Sequence, residues 1–381
     1  MLKVLTLVGT RPEIIKLSRI IAELDRHVAQ TIVHTGQNFD YELNGIFFDQ
    51  LGIRRPDIHL EAAGASAAET IGQVIQRLDP VIEQTSPDAV VLLGDTNSCL
   101  GVIAAKRRKV PIFHLEAGNR CFDPRVPEEI NRRIVDHTSD VNLVYTEHAR
   151  RNLLAEGLRS DLILKTGSPM AEVIAYHREA IARSEVLGTL GLERRGFILV
   201  SAHREENVDD PRRLREWVAA IAELGEAFGV EVVVSTHPRT RRRLEALGEG
   251  LVAARVRFMK PLGFVDYVRL QTEALCVVSD SGTVTEEASI LGFPAVTIRE
   301  THERPEGMDE GTLIMCPPVR GRLRDAVGVV VAQHADGDRR RLVADYDAPA
   351  VSMKVVRIVL SYVAYVRRVV WGETQAAVSP L

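Results

Sequence analysis

The sequence predicts an α/β protein with two doubly wound parallel sheets that face each other across a cleft. Apolar, β-branched runs of strand length alternate with amphipathic helical segments through the first half, and the same alternation restarts near Pro169. A chain of 381 residues, 45% of them hydrophobic, is long enough for two domains with sizeable cores. We expect domains over residues 1–169 and 170–352, and a final amphipathic helix over residues 353–371.

The composition argues against several classes of protein. A formal net charge of −4 gives no overall positive field that would attract nucleic acid. The mean hydropathy of −0.02 is typical of globular proteins, and no apolar run has the length that a bilayer span needs. The chain enters its first strand directly, without the pattern of a secretion signal. These features predict a cytoplasmic protein without nucleic-acid or membrane partners.

The motifs of the common cofactors and metals are missing from the sequence. The four cysteines have no CxxC spacing and lie mostly in apolar segments, which predicts reduced thiols rather than disulfides or a zinc site. The sequence contains no GxxxxGK[ST], GxGxxG, HExxH or GxSxG motif. We therefore expect neither a metal nor a cofactor, and the remaining candidate is chemistry on an activated sugar.

The first strand, predicted over residues 3–10, ends at a corner that carries two cations. Pro12 suits the first turn of the helix that follows, because its missing N–H would have no partner there. Arg11 lies at the corner and Lys16 lies one turn further along. Cations beside a helix N-terminus usually indicate an anion or a carboxylate partner. A surface ion pair is the alternative, and this stretch alone favours neither reading.

Two later strands end in acidic residues. The strand predicted over residues 89–94 ends in Asp95, and the strand over residues 111–115 ends in Glu116. Open α/β sheets bind their ligands at the carboxyl ends of the strands. One such carboxylate could be a helix cap, but two of them indicate a site.

A helix predicted to begin at Pro127 has Glu128 and Glu129 in its first turn. Acidic residues there interact favourably with the helix dipole, which is a sufficient structural reason for one of them. Glu128 and Arg132 are four residues apart and could simply pair along the helix.

The second half contains a candidate anion site between Asp280 and Arg304. The segment is predicted to form a strand, a tight turn, a helix and a further strand. The turn exposes the backbone N–H groups of Ser281, Gly282 and Thr283 at a helix N-terminus, which favours an anion such as a diphosphate. Glu287, one helical turn further, could accept hydrogen bonds from sugar hydroxyls. Taken alone, the segment fits an ordinary βαβ turn capped by Ser281 better than a ligand site.

Nine segments together identify a resemblance that runs through nearly the whole chain. They resemble the non-hydrolysing UDP-N-acetylglucosamine 2-epimerases: GTRPEIIKLS (9–18), HTGQNFD (34–40), GDTNS (94–98), HLEAGNR (114–120), RVPEEINRRIVDHTSD (125–140), SAHREENV (201–208), THPR (236–239), SDSGTVTEEA (279–288) and RETHERPEG (299–307). The stretch GNRCFDPRVPEEINRRIVDHTSD is most similar to the branch that makes UDP-N-acetyl-L-fucosamine by inverting C2 of a UDP-6-deoxy-L-talosamine derivative.

The resemblance implies two Rossmann-like domains in the arrangement of many nucleotide-sugar glycosyltransferases, called GT-B. It also implies a C-terminal helix that crosses back to the first domain, and a homodimer. The implied reaction eliminates UDP to leave a 2-acetamidoglycal, which is then protonated from the opposite face before UDP returns. Asp95, Glu116 and Glu128 would be the acid/base carboxylates, and His203 would assist at the diphosphate.

The same resemblance assigns the substrate-binding residues. Arg11, Ser281 and Gly282 would bind the diphosphate, Glu287 the ribose hydroxyls, and Lys16 with Arg304 the sugar and diphosphate region. Three positions depart from the family pattern. Near the uracil, this chain has Leu262 where the family often has glutamine, and Tyr267 where it often has phenylalanine. Thr283 replaces the second glycine of a DSGG motif. Asp40 and residues 64–70 match poorly with the segments that bind a second, regulatory UDP-GlcNAc, so we expect no such regulation.

Two other functions fit part of this pattern. A GT-B-fold glycosyltransferase with a UDP-sugar donor would use the turn at Ser281 equally well, but it has little need of three converging carboxylates. A UDP-sugar-binding protein without turnover has no need of Asp95, Glu116, Glu128 and His203. The acidic trio therefore favours the epimerase.

Overall fold

The chain forms two compact units in a computed structural model that describes residues 1–36, 48–202, 210–236, 238–246, 255–337 and 340–373. One unit comprises Met1–Tyr176 with Ala344–Leu381, and the other comprises His177–Val343. The first boundary lies after residue 176 and not after 169, because residues 170–176 form a helix that packs against the first helix of the chain. The second lies before residue 344 and not before 353, because the turn at Ala344–Tyr346 bonds to the first unit, where Ser168 N donates to Asp345 O at 3.1 Å.

The first unit contains a twisted parallel sheet. Its strand order is β3-β2-β1-β4-β5-β6-β7, and each strand pair found among the described residues is parallel. This order is that of a doubly wound fold, with the reversal between β1 and β4. The strands are Lys3–Val8 (β1), Ala29–His34 (β2), Ile58–His59 (β3), Ala89–Leu93 (β4), Ile112–Leu115 (β5), Val141–Val144 (β6) and Ile163–Lys165 (β7).

Helices connect these strands and cover the sheet. They are Arg11–His27 (α1), Ala67–Thr85 (α2), Val102–Arg107 (α3), Pro127–Thr138 (α4), Glu147–Ala155 (α5) and Met170–Tyr176 (α6), with 3₁₀ turns at Asn97–Gly101, Ser160–Leu162 and Ala344–Tyr346.

The second unit repeats the same topology with a sheet of the order β10-β9-β8-β11-β12-β13. Its strands are Phe197–Ser201 (β8), Glu231–Ser235 (β9), Val256–Met259 (β10), Cys276–Ser279 (β11), Ala295–Thr297 (β12) and Ile314–Met315 (β13). Its helices are Arg178–Arg183 (α7), Val186–Leu190 (α8), Pro211–Phe228 (α9), Pro238–Ala246 (α10), Phe264–Glu273 (α11), Thr283–Leu291 (α12), Pro305–Asp309 (α13) and Arg322–Ala335 (α14).

Both faces of the second sheet are buried, which explains its continuous apolar strands. Along β8, Ile198 and Val200 pack into the core under α9, whereas Phe197 and Leu199 pack into a separate core on the other face. Successive side chains of a strand point to opposite faces of the sheet. When both faces are covered, all of these side chains are buried and the strand is apolar throughout. The predicted fold class, α/β with two Rossmann-like parallel sheets, is confirmed.

The last helix returns to the first unit, as the resemblance implies. Val351–Val369 (α15) packs against α1 and buries a stripe of valines at helical spacing, namely Val355, Val356, Val359, Val363 and Val366. Arg367 Nη2 also donates to Asp88 Oδ1 at 2.8 Å. Within the described ranges, no helix combines the length and apolarity that crossing a membrane would require.

We expect Val359→Ala to destabilise the first unit by about 1–3 kcal/mol, because it removes two buried methyl groups from the α15 stripe. Arg357→Ala on the exposed side of α15 is the matched control, with an expected change within about 0.5 kcal/mol. Urea denaturation measures both. Equal effects of the two changes would show that the stripe does not hold the helix in place.

Candidate active site

The carboxyl ends of β1, β4 and β5 are adjacent at one edge of the first sheet. β4 pairs with both β1 and β5, and Gly94 N, one residue past the end of β4, donates to the O of Leu115, the last residue of β5, at 3.0 Å. Asp95 comes next after Gly94, and Glu116 follows β5 directly. The two strand-end carboxylates that the sequence analysis singled out therefore lie at the same edge.

Glu116 forms a buried ion pair with Lys16. The Lys16 Nζ lies 2.6 Å from Glu116 Oε2, and the two side chains are 2% and 11% exposed. The same ammonium lies 5.5 Å from the centre of the Tyr145 ring. Glu116 has a backbone φ of +64°, a left-handed conformation that a residue with a Cβ rarely adopts. Lys16 therefore has a buried carboxylate partner and not a surface ion pair.

Asp95 is held by an arginine of the helix α4. Arg132 donates to Asp95 Oδ2 from Nε at 3.0 Å and from Nη2 at 2.6 Å, and its Nη1 donates to Glu129 Oε2 at 3.0 Å. Arg132 is 2% exposed, so both of its contacts lie in a poorly hydrated environment. The sequence spacing suggested a pair between Arg132 and Glu128, but Arg132 bridges Asp95 and Glu129 instead.

The two glutamates at the start of α4 have different environments. Glu129 is 1% exposed and also accepts from Cys121 N at 3.0 Å. Burial opposes ionisation of Glu129, but the Cys121 N–H and the charge of Arg132 lower its pKa below the usual value. Glu128 is partly exposed, and its carboxylate makes no hydrogen bond or ion pair with another residue that the structure describes. Glu129 is therefore structural, whereas Glu128 is available to a ligand.

Glu13 connects the turn that follows β1 to the turn that follows β4, and the sequence did not predict this role. Its Oε2 accepts from Gly9 N at 2.6 Å and Thr10 N at 3.2 Å, and its Oε1 accepts from Thr96 Oγ1 at 2.5 Å. Burial raises its pKa from 4.5 to about 7, against the opposing effect of these hydrogen bonds. The spacing from Thr10 to Glu13 is that of a capping box, a signal for a helix start that says nothing about burial. Arg11, between them, is partly exposed at the first position of α1.

The candidate anion site of the second unit is the turn between β11 and α12. Ser281 N donates to Ser279 Oγ at 3.1 Å, and the hydroxyl oxygens of Ser281 and Thr283 lie 3.0 Å apart. Gly282 caps α12 with a helical φ of −62°. A Cβ at Gly282 would lie 2.6 Å from Arg304 Nη1, so the close approach of the guanidinium requires glycine here.

Arg304 lies behind this turn as a buried cation. It donates to Glu286 Oε1 from Nε at 3.0 Å, its Nη2 lies 2.9 Å from the same oxygen, and its Nη1 lies 3.4 Å from Glu303 Oε2. Glu303 in turn accepts from Arg299 Nη2 at 2.7 Å. Burial, followed by the charge of Arg299, lowers the pKa of His302 below its usual value. A chain of alternating buried charges thus fixes the cation next to the helix N-terminus.

The remaining predicted residues are located as follows. Glu287 is 7% exposed, and its Oε2 accepts from Gln271 Nε2 at 2.6 Å. Tyr267 lies in α11 and is partly exposed. His203 and Asp40 fall outside the described residues, so their roles stay predictions. Among the side chains that the structure describes, no group of three or more His, Cys, Asp or Glu is arranged to hold a metal ion.

A family model and a curated relative both match this chain to sugar-nucleotide 2-epimerases. The family model described as UDP-N-acetylglucosamine 2-epimerase matches residues 22–360. The chain is 37% identical over 326 residues to the UDP-2,3-diacetamido-2,3-dideoxy-D-glucuronate 2-epimerase of Pseudomonas aeruginosa. The alignment covers 84% of this chain and 89% of that protein.

Solved structures extend the similarity to nearly the whole chain. The UDP-N-acetylglucosamine 2-epimerase from Rickettsia bellii is 51% identical with a TM-score of 0.91, and the match covers 98% of this chain and 100% of that one. The Methanocaldococcus jannaschii UDP-GlcNAc 2-epimerase, solved in complex with UDP-GlcNAc and UDP, is 32% identical with a TM-score of 0.88 and coverage of 95% and 100%.

Glu13→Gln is expected to change how stability depends on pH. Between pH 4.5 and about 7 the folded protein keeps the Glu13 proton that the unfolded chain has released, so this group makes stability fall as pH rises through that window. At about 1.4 kcal/mol per unit, wild type should lose up to about 3 kcal/mol relative to Glu13→Gln across it.

Urea denaturation at a series of pH values measures this difference. Glu61→Gln is the control, because Glu61 is an exposed glutamate of the same unit. Parallel pH profiles for wild type and Glu13→Gln would contradict the assignment of the titration to Glu13.

Proposed function

The chain belongs to the UDP-N-acetylglucosamine 2-epimerase family, and we propose that it inverts C2 of a UDP-N-acetylhexosamine without hydrolysing the nucleotide sugar. The observation that carries this proposal is the edge of the first sheet, where Asp95 and Glu116 are each paired with a buried cation and Glu128 lies at the start of α4. The enzyme is an isomerase that works on a bound nucleotide sugar.

The chemistry requires the leaving group to depart first. The C2–H of an acetamido sugar is not acidic, because no carbonyl is adjacent to C2. When the C1–O bond to UDP breaks, positive charge develops at C1 and acidifies the C2 proton, which a carboxylate then removes to give a 2-acetamidoglycal. Protonation of the glycal at C2 from the opposite face, with return of the UDP oxygen to C1, gives the epimer.

Inversion needs proton-transfer groups on both faces of the sugar, and the first unit supplies three candidates. Asp95 and Glu116 are held by Arg132 and Lys16, so their carboxylates have fixed positions. Glu128 makes no such contact with a described residue and is free to accept or deliver a proton. We assign proton transfer to these three groups.

The turn at Ser281 is proposed to hold the departing diphosphate. The N-terminus of α12 attracts anions through the helix dipole, and the buried guanidinium of Arg304 adds positive potential next to it. Ser281 N already donates to Ser279 Oγ and Thr283 N to Ser281 Oγ, so a bound diphosphate would share or replace these two hydrogen bonds. Arg11 and His203 would assist at the diphosphate, Lys16 would line the sugar, Glu287 would accept from the ribose hydroxyls, and residues 262–267 would border the uracil. Thr283 would contribute its N–H and hydroxyl groups.

The finer choice of substrate rests on one stretch. Residues 118–140 resemble the branch that converts a UDP-6-deoxy-L-talosamine derivative into UDP-N-acetyl-L-fucosamine, so we propose this sugar beside UDP-GlcNAc and UDP-ManNAc. Cys121 belongs to that stretch, and its N–H bonds to Glu129 directly beside Glu128. A cytoplasmic homodimer that serves glycan precursor synthesis stays a prediction.

Incubation in D2O with UDP-GlcNAc, and separately with the UDP-6-deoxy-L-talosamine derivative, tests the reaction. We expect NMR to detect deuterium at C2 together with the epimer, because the abstracted proton exchanges with solvent. A faster reaction with the 6-deoxy sugar supports the finer assignment. Folded protein that gives neither exchange nor epimer with either sugar rules the proposal out.

Asp95→Asn should keep UDP affinity and lose C2 exchange by about 10²–10⁴-fold, because an amide still accepts from Arg132 but cannot take a proton. Calorimetry measures the affinity and NMR measures the exchange. Asp79→Asn, at an aspartate that pairs with Arg108 away from the sheet edge, is the control. An equal loss of UDP affinity in Asp95→Asn would show that Asp95 is structural.

A further inference from the structure

A fully buried carboxylate beneath the candidate site belongs to none of the roles assigned above. Asp136, on α4, is 0% exposed and cannot meet a substrate. Its Oδ2 accepts from Arg120 Nη1 at 2.7 Å, and its Oδ1 lies 2.9 Å from His114 Nδ1. Arg120 also forms a bidentate pair with Glu156, in which Nε donates to Oε1 at 2.8 Å and Nη2 donates to Oε2 at 2.6 Å. The charge of Asp136 is thus compensated inside the protein.

Asp136 also holds the turn that carries Glu116. The Gly118 N–H points between its two carboxylate oxygens, each at 3.2 Å. Glu116 and Gly118 both have a positive φ, +64° and +81°. A side chain added at Gly118 would lie 2.4 Å from Ala149 O, so the turn is also tightly enclosed. A left-handed glutamate persists only where its surroundings fix it, and the Asp136 carboxylate is one such contact.

His114 extends this contact to the neighbouring strand end. It lies in β5, it is fully buried, and its Nε2 lies 2.8 Å from Gly94 O. A carbonyl oxygen can only accept, so Nε2 donates to it. Gly94 has a φ of +86° and immediately precedes Asp95. The imidazole is therefore bonded through Nε2 to the turn before Asp95. Its Nδ1 lies against the carboxylate that holds the turn after Glu116, 2.9 Å from Asp136 Oδ1 but without hydrogen-bond geometry.

We propose that His114 and Asp136 are positioning residues for the C2 epimerisation, because together they fix the two turns that carry Asp95 and Glu116 relative to each other. This inference rests on the proposed function. Neither side chain reaches the substrate, and both act through the backbone of Gly94 and Gly118. Proton transfer tolerates little displacement of its groups, and about 1 Å of misplacement can cost 10²-fold in rate.

Two substitutions at His114 separate its two contacts. His114→Gln can keep a donor near the Nε2 position, towards Gly94 O, and loses the contact to Asp136. His114→Asn can keep a donor near the Nδ1 position, towards Asp136, and loses the contact to Gly94. We expect each to lower kcat by about 10- to 100-fold and to leave KM and the Kd for UDP within about threefold. Asp136→Asn should behave in the same way.

A matched control is available at the other end of the same strand. Asp140 is also a buried aspartate. Its Oδ2 accepts from Ile112 N at 2.9 Å, and its Oδ1 lies 2.5 Å from Lys106 Nζ. Its backbone contact lies at the amino end of β5, away from the carboxylates of the site. We expect Asp140→Asn to lower Tm about as much as Asp136→Asn does, and to keep the wild-type kcat.

The outcomes separate the alternatives. Folded His114 variants with wild-type kcat overturn the positioning role, and so does an Asp140→Asn variant that loses as much kcat as they do. If Asp136→Asn does not fold, the two His114 variants decide the question. Wild-type protein that does not epimerise refutes the proposed function, and the positioning role with it, whereas an active wild type with unimpaired variants refutes the positioning role alone.

Discussion

The burial of opposite charges at one edge of the first sheet is the constraint on which this unit depends. In a parallel sheet all strands end at the same edge, so residues that follow different strands are brought together there. Lys16, Arg120, Arg132 and Asp136 are at most 2% exposed. A buried charge without its partner costs several kcal/mol, so loss of one member destabilises through the member that remains. The arrangement that would do the chemistry is therefore also part of what makes the unit fold into one structure.

Periodicity was sufficient to predict the sheets and to bring Asp95 and Glu116 to one edge, because strand ends are local features. The partners of these carboxylates were not predictable in this way, since Lys16 and Glu116 lie 100 residues apart and Arg132 lies 37 residues from Asp95. Helix spacing even favoured a different pair, Glu128 with Arg132. Burial decides between the two neighbouring glutamates, since Glu129 is 1% exposed and can use the guanidinium in a dry environment. Burial of this kind depends on contacts across the whole unit.

The turn of the second unit has a buried cation behind a helix N-terminus. The resemblance assigned Arg304 to the substrate region, and in the structure Glu286 holds its guanidinium against Gly282. Gly282 has a helical φ of −62°, so glycine is needed for space and not for conformation. A fixed positive group behind a helix N-terminus raises the electrostatic potential at that terminus. The departure at Thr283 leaves this backbone intact and adds a hydroxyl 3.0 Å from that of Ser281.

Glu116 combines a left-handed backbone with a buried ion pair, at the strand end where proton transfer is proposed. A turn with a φ of +64° is met at least cost by glycine, and glycine does occupy the comparable positions Gly94 and Gly118. A glutamate there costs on the order of 1 kcal/mol in backbone strain, and its pairing with Lys16 needs two desolvated charges. The pair with Lys16 gives this side chain a structural role, since it compensates a buried cation. The proposed proton transfer adds a second role, for which the strained turn would hold the carboxylate in one position.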